Sequence, residues 1–103
     1  MRVIFSLPAE QDLESIGDYI AKNSPIQALM FVRELKSRCR LIAENPLAYR
    51  LRPELAAAIR SCAHGHYVIF FTITAAGDTL IVRILHGAKD LPAIFQDGSQ
   101  EIS

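Results

Sequence analysis

The sequence has 103 residues, of which 50% are hydrophobic and 21% charged, and its eleven basic residues balance its eleven acidic residues. This length is typical of one domain, and the zero net charge argues against a general affinity for nucleic acid or membranes. No apolar run approaches the roughly 20 residues that cross a bilayer. The sequence shows no export signal, so we expect a cytoplasmic protein whose two cysteines are reduced and buried.

The first half of the chain predicts a strand followed by two helices. Residues 1–7 alternate and are rich in β-branched side chains. Residues 8–23 repeat apolar positions every three or four residues, which predicts one buried helical face. A second helix is expected after Ser24, a good N-cap that precedes a proline. It should end before Pro46, whose ring pushes the preceding residue out of helical geometry. Two helices with so short a link form an antiparallel hairpin.

The second half predicts a loop and then three strands. Residues 45–57 are rich in proline and arginine and are interpreted as the loop. Residues 58–63, 66–74 and 79–87 follow as strands joined by short hairpin turns. The middle of these is apolar nearly throughout, so it should lie at the sheet centre with both faces partly covered. The predicted fold is α+β, with element order β-α-α-β-β-β and the helical hairpin packed on a mostly antiparallel sheet. We expect a single domain over residues 1–96 and a polar tail over residues 97–103.

The last strand carries the residues that suggest a function. Alternation places Leu80 to His86 on two faces in turn, and Arg83 is expected on the side that the helices leave open. An arginine in an apolar strand needs an acceptor. That acceptor is either a carboxylate of the same chain or a group on a binding partner. His86 and Lys89 stand at the exit of the strand, where a hydrogen-bonding role is commoner than a catalytic one.

Metal binding and catalysis have little support in the sequence. Cys62, His64 and His66 are ligand types, but no second ligand pair follows at zinc spacing, and Gly65 between the histidines fits a hairpin turn. We therefore expect no metal and no cofactor. No nucleophile motif, phosphate-binding glycine loop or paired-carboxylate site is present. Catalysis would have to come from basic and tyrosine side chains on the sheet: Tyr49, Arg50, Arg52, Arg60, Arg83 and His86.

Three segments in this order resemble the ParE branch of the ParE/RelE toxins of bacterial toxin–antitoxin pairs. They are LPAEQDLESIGDYIAKNSPIQALMFVRELKSRCRLIAENP, IRSCAHGHYVIFF and VRILHGAKDLPAIF, and the resemblance extends over residues 3–95. It implies a helical hairpin packed on an antiparallel sheet, in agreement with the pattern above. ParE-like toxins inhibit DNA gyrase by binding, whereas RelE-like toxins cut mRNA on the ribosome. The resemblance therefore implies a toxin that a small antitoxin neutralises.

The resemblance also assigns residues. Arg83 matches the family's mid-strand arginine and Arg60 matches one at the start of the second strand. No tyrosine follows His86, which favours a non-enzymatic gyrase inhibitor over a ribonuclease. His66 stands where relatives commonly have arginine or lysine, and Phe71 where many have tyrosine. The residues expected to bind the target or antitoxin are Arg50, Arg52, Arg60, Arg83, His86, Lys89 and Phe95.

The implied partners are a ParD-like antitoxin of the ribbon-helix-helix type, in a hetero-oligomer, and DNA gyrase as the target. Neither a membrane nor sequence-specific DNA is an expected partner. Two alternatives stay open. One is a ribosome-dependent endoribonuclease that uses Arg60, Arg83 and His86. The other is a non-toxic relic that only binds the antitoxin.

Overall fold

The computed structural model describes residues 2–87 and residue 95. Two helices and a five-stranded sheet form the β-α-α-β-β-β arrangement predicted from the sequence, with one short strand added. The predicted polar tail, residues 97–103, lies outside the described residues. Within the described part, no helix is both long and apolar enough to cross a membrane. The elements are β1 (Val3–Phe5), α1 (Leu7–Ala21), α2 (Pro25–Glu44), a 3₁₀ turn (Pro46–Ala48), β2 (Arg50–Leu51), β3 (Arg60–His64), β4 (Tyr67–Ile73) and β5 (Thr79–His86).

Both helices begin at serine caps. The Ser6 hydroxyl accepts a hydrogen bond from the Ala9 amide at 3.1 Å, and the Ser24 hydroxyl accepts one from the Gln27 amide at 3.2 Å. Each cap satisfies one of the amides that a helix start leaves without an intrahelical partner. The predicted start of the second helix is therefore confirmed, and its end at Glu44 agrees with the position of Pro46.

The sheet has the strand order β1-β5-β4-β3-β2, with β1 parallel to β5 and all other neighbours antiparallel. The central place of β4 confirms the prediction for the apolar strand. The interpretation of residues 45–57 as a loop throughout was wrong at Arg50 and Leu51, which pair with Ser61 and Arg60 as β2. Two residues are too few for an alternating pattern to be visible in the sequence.

Apolar clusters lie on both sides of the sheet. The larger cluster joins the helices to the sheet, and the smaller one covers the opposite side with the 52–59 loop and Phe95. Phe71 belongs to the first cluster and Phe70 to the second, so β4 is buried on both faces as expected. The larger cluster consists of Ala9, Leu13, Ile16, Leu35, Cys39, Ile42, Cys62, Ile69, Phe71, Ile81 and Ile84, and the smaller of Leu55, Ile59, Phe70, Leu85 and Phe95.

An irregularity in β5 interrupts its alternation. Phe70 pairs with Arg83 and the adjacent Phe71 pairs with Ile81, so Val82 has no residue opposite it on β4. An extra residue of this kind shifts the side-chain pattern and re-aims the side chains beyond it. As a result, Ile81 and Ile84 both belong to the helix-side cluster. The strict alternation predicted for residues 80–86 is therefore wrong at this point.

Candidate functional site

The outer edge of β5 is paired with β1 over its first part and contacts the start of α1 beyond that. β1 pairs with β5 only as far as Ile81. Immediately beyond, the Ser6 hydroxyl donates to the Val82 carbonyl oxygen at 2.8 Å. The Ile84 amide donates to Oδ2 of Asp12 at 2.9 Å. The first turns of α1 thus satisfy backbone groups at the point where the parallel strand stops.

Asp12 also binds Arg83 through both carboxylate oxygens. Nε of Arg83 donates to Oδ2 at 2.8 Å and an Nη donates to Oδ1 at 2.9 Å. The Asp12 side chain is 13% exposed and that of Arg83 30% exposed. These hydrogen bonds, with the nearby carboxylate charge, raise the pKa of Arg83 above its ordinary value although burial opposes this. Two parallel charge-assisted bonds fix the guanidinium in one orientation.

This geometry decides between the two acceptors considered for Arg83. The acceptor in the structure is a carboxylate of the same chain, on α1. Arg83 pairs with Phe70, whose ring lies in the cluster on the side of the sheet away from the helices, and its guanidinium reaches Asp12 at the edge of the strand. The irregularity at Val82 brings Arg83 and the following amide to one carboxylate at this edge.

A groove of about 620 Å³ lies between α1, the start of α2 and the ends of β4 and β5. We call it the edge groove. Most of its surface is apolar, and aromatic side chains from four elements contribute to it. Such a lining suits an apolar segment that a few polar groups hold in register. The lining residues are Asp12, Ser15, Ile16, Tyr19, Ile20, Phe31, Gly65, His66, Tyr67, Ile84, Leu85 and His86.

Two histidines stack at one end of the edge groove. The rings of His66 and His86 are 6.1 Å apart at an angle of 17°, and Tyr67 meets His86 edge-on at 5.4 Å. His64 lies elsewhere, with Nε2 at 3.4 Å from a carboxylate oxygen of Glu34. Among residues 2–87 and 95, no three metal-ligand side chains gather at one point.

Two arginines in or near β2 and β3, Arg52 and Arg60, have partners within the chain. An Nη of Arg60 donates to the Tyr49 carbonyl oxygen at 2.7 Å. Nε of Arg52 donates to Glu54 at 2.6 Å, and this hydrogen bond lowers the pKa of Glu54. Arg52 also reaches the Ser61 hydroxyl at 3.3 Å. Arg50 is exposed on β2.

The candidate ribonuclease residues do not converge. Arg60 pairs across the sheet with Phe71, whereas His86 pairs with Tyr67, four residues away along the same strand. That separation corresponds to about 13 Å. The guanidinium of Arg83 binds Asp12 on α1 and so points to neither of them. The sheet therefore distributes the three candidates over different surroundings.

The two remaining predicted contact residues fall at the end of the chain. Lys89 lies outside the described residues. Phe95 is 7% exposed and its ring meets that of Phe70 at 5.0 Å. In this arrangement Phe95 is part of the second apolar cluster, and its role as a contact residue stays a prediction.

Asp12 is the site residue that the sequence reasoning did not assign. The helical period places it four residues before Ile16, on the flank of the buried stripe. Glu10, Glu14 and Asp18 instead share the opposite flank of α1. The available signal was a carboxylate beside the apolar stripe of α1, in a chain with one mid-strand arginine that needs an acceptor.

Known proteins resemble this chain over nearly its whole length. The family model described as the ParE toxin of the type II toxin–antitoxin system parDE matches residues 3–91. The Toxin ParE1 proteins of two Mycobacterium tuberculosis strains are 30% identical over 91 residues, which is 87% of this chain and 93% of theirs.

Two solved structures share the fold. A chain of the chromosomal ParDE toxin–antitoxin system from P. aeruginosa superposes with a TM-score of 0.72 at 20% identity, covering 84% of this chain and 95% of that one. A chain of the RelBE2 toxin–antitoxin complex from Mycobacterium tuberculosis gives a TM-score of 0.60 at 24% identity, covering 82% and 95%.

Proposed function

Because the chain belongs to the ParE toxin family of type II toxin–antitoxin systems, we propose that it inhibits DNA gyrase by binding and that a cognate antitoxin neutralises it. The proposed mechanism is occupancy of a gyrase surface, without a chemical step on nucleic acid. Gyrase acts on DNA inside the cell, and we accordingly place the protein in the cytoplasm.

One observation carries the preference for binding over catalysis: the dispersal of Arg60, Arg83 and His86. Acid–base cleavage needs its groups within hydrogen-bond reach of one reacting centre. Here Arg60 is bonded to a backbone carbonyl and Arg83 to Asp12, and Arg60 and His86 are four β4 residues apart. This arrangement supports a binding protein and gives the ribonuclease alternative no assembled site among the described residues.

The edge groove supports the antitoxin half of the proposal. It combines apolar and aromatic walls with the outer edge of β5, a combination that suits a peptide segment with apolar anchors. We propose that a ParD-like antitoxin of the ribbon-helix-helix type places such a segment there in a hetero-oligomer. The P. aeruginosa ParDE system and the RelBE2 complex are themselves toxin–antitoxin systems with the same toxin fold. No contact with a specific DNA sequence is required of the toxin.

The proposal is tested with purified, antitoxin-free protein in a gyrase supercoiling assay, followed by addition of the antitoxin. We expect supercoiling to be lost and then restored. Tyr19→Ser removes an apolar ring that is 66% exposed at the edge groove, and Leu47→Ser removes a side chain 69% exposed outside it. Tyr19→Ser should weaken antitoxin binding about tenfold, the scale of one interface aromatic, while Leu47→Ser should not.

Each outcome has a defined meaning. Unchanged supercoiling at every toxin concentration would contradict gyrase inhibition and leave the ribonuclease and the relic that only binds the antitoxin as the remaining alternatives. Equal antitoxin affinity for Tyr19→Ser and the wild type would contradict the edge groove as the antitoxin site. It would leave gyrase inhibition untouched, because the two readouts are separate.

A further inference from the structure

The helical hairpin has a second groove, lined by α1, α2 and Phe5 of β1, that the proposed function does not use. We call it the outer groove. Its floor contains Leu13, Gly17 and Val32, and a Cβ placed on Gly17 would lie 3.4 Å from Val32. α1 and α2 therefore approach closely at this level. The contact also sets the register of the antiparallel hairpin, because residue 17 of α1 stands level with residue 32 of α2.

Opposite charges line the two sides of the outer groove. On α1, Glu10, Glu14 and Asp18 follow at four-residue intervals and form an acidic row. On α2, Lys36 lines the groove, and Arg33 and Arg40 extend it into a basic row at helical spacing. All six side chains are exposed. Among residues 2–87 and 95, the ion pairs are those of Arg52, His64 and Arg83, so no ion pair joins the two rows.

The two rows match in height along the hairpin. Since residues 17 and 32 are level and the helices are antiparallel, Glu14 is level with Lys36 and Glu10 with Arg40, within a fraction of a turn. Asp18 is likewise level with Arg33. If a two-fold axis parallel to the helices relates a second copy to the first, each residue keeps its height along the axis. In that arrangement, α1 of one copy faces α2 of the other. Each acidic row would then face the basic row of a second copy, along an antiparallel α1–α2 pair.

Apolar groups accompany the charges. Ile26 is 72% exposed and Leu29 54% exposed, although both begin a helix whose other face is buried. The two helices run side by side over the 15 residues of α1, about 22 Å, and a face about 20 Å wide would bury about 900 Å² over two copies. That area is typical of a weak, reversible interface. The zero net charge of the chain also removes a general repulsion between copies.

We propose that the outer groove is a self-association surface, on which two copies form a symmetric four-helix bundle with Glu14 of one copy beside Lys36 of the other. The outer groove shares no lining residue with the edge groove, so a second copy bound there leaves the edge groove open. The dimer is therefore compatible with antitoxin bound to each copy. It depends on neither the gyrase target nor the antitoxin.

The test is sedimentation equilibrium of the full chain from low to high micromolar concentration. We expect the wild type to convert from one to two chain masses. Glu14→Lys and Lys36→Glu each place like charges together at two symmetric positions, and each should weaken dimerisation by about tenfold or more. Glu34→Lys makes the same charge change on the other flank of α2, by the β3–β4 turn, and should leave dimerisation intact.

Mixing the two defective variants isolates the contact between copies. In a heterodimer, the lysine introduced at position 14 of one chain meets the glutamate introduced at position 36 of the other. The second contact of the heterodimer pairs the unchanged Lys36 with the unchanged Glu14. The mixture should therefore dimerise as the wild type does. An effect within one chain could not be rescued by mixing. Circular dichroism confirms that each variant is folded.

Three results would overturn the proposal. The first is a wild type that stays monomeric throughout the concentration range. The second is a dimer that neither charge reversal weakens. The third is an antitoxin affinity that falls in Glu14→Lys but not in Glu34→Lys, since the outer groove would then hold the antitoxin.

Discussion

Replacing Asp12 tests the link between α1 and β5. Asp12 accepts two hydrogen bonds from Arg83 and one from the Ile84 amide, all between 2.8 and 2.9 Å. A hydrogen bond to a charged group contributes roughly 1.5–3 kcal/mol, and a partner left unsatisfied adds to the loss. Arg83 is 30% exposed, so water can replace part of what it loses. We therefore expect Asp12→Ala to lower the free energy of unfolding by about 2 kcal/mol.

The milder substitution separates charge from hydrogen bonding. Asp12→Asn retains an oxygen that can accept from the Ile84 amide and should cost about 1 kcal/mol. Urea unfolding followed by circular dichroism gives both values. In a domain of this length, the alanine variant should melt roughly 10 °C lower. A double-mutant cycle of Asp12→Ala with Arg83→Ala should give a coupling energy of about 1–2 kcal/mol. A loss below about 0.5 kcal/mol for Asp12→Ala would refute this account of the strand edge.

The result also governs how Arg83 variants are interpreted. Arg83→Ala leaves the Asp12 carboxylate without its cation in a mostly buried position, so it should destabilise the fold as well as alter the surface. Loss of toxicity in that variant would therefore not identify Arg83 as a contact residue unless stability were measured in parallel.

Three further changes test other parts of the structure. The Thr79 hydroxyl is fully buried without a hydrogen-bond partner among the described residues. Thr79→Val should therefore raise the free energy of unfolding, measured by chemical denaturation, by about 1 kcal/mol. A loss of stability would show that the hydroxyl has a hydrogen-bond partner. Ala58 has a φ of 62°, a region that favours glycine, so Ala58→Gly should raise the melting temperature by a few degrees, and a decrease would contradict strain at this residue. Burial raises the pKa of Cys39 from 9.0 to about 12. The thiol therefore ionises at lower pH in the unfolded chain than in the folded one, and the free energy of unfolding should fall as pH rises above about 9. Cys39→Ala should show a shallower fall, and an identical pH profile would contradict the burial of this thiol.

Hydrophobic periodicity was sufficient to predict the helices and the long strands. Each helix has an apolar stripe over more than three turns and a serine cap. Strand β4 is apolar on both faces, so it must lie at the centre of the sheet, where both faces are covered. These signals involve residues that are close together in the sequence, so they can be read from a single sequence. The β2 strand was missed because Arg50 and Leu51 become a strand only through pairing with β3.

The site was harder to predict because it depends on one long-range register. The position of Arg83 at the strand edge depends on the irregularity at Val82. No local sequence pattern indicates this irregularity. The same irregularity places the Ile84 amide beside Asp12, a residue 72 positions earlier in the chain. Arg60 and His86 looked like members of one cluster because both lie on strands. The register then separated them by four residues along β4.

The central claim is that this protein acts on gyrase by binding and does not cut RNA. Its most direct test runs purified, antitoxin-free protein in two parallel reactions, gyrase supercoiling and translation-coupled mRNA cleavage. We predict lost supercoiling, or cleaved DNA, with the message intact. Cut message with normal supercoiling would contradict the claim and would mean that Arg60, Arg83 and His86 assemble into a catalytic site on the ribosome.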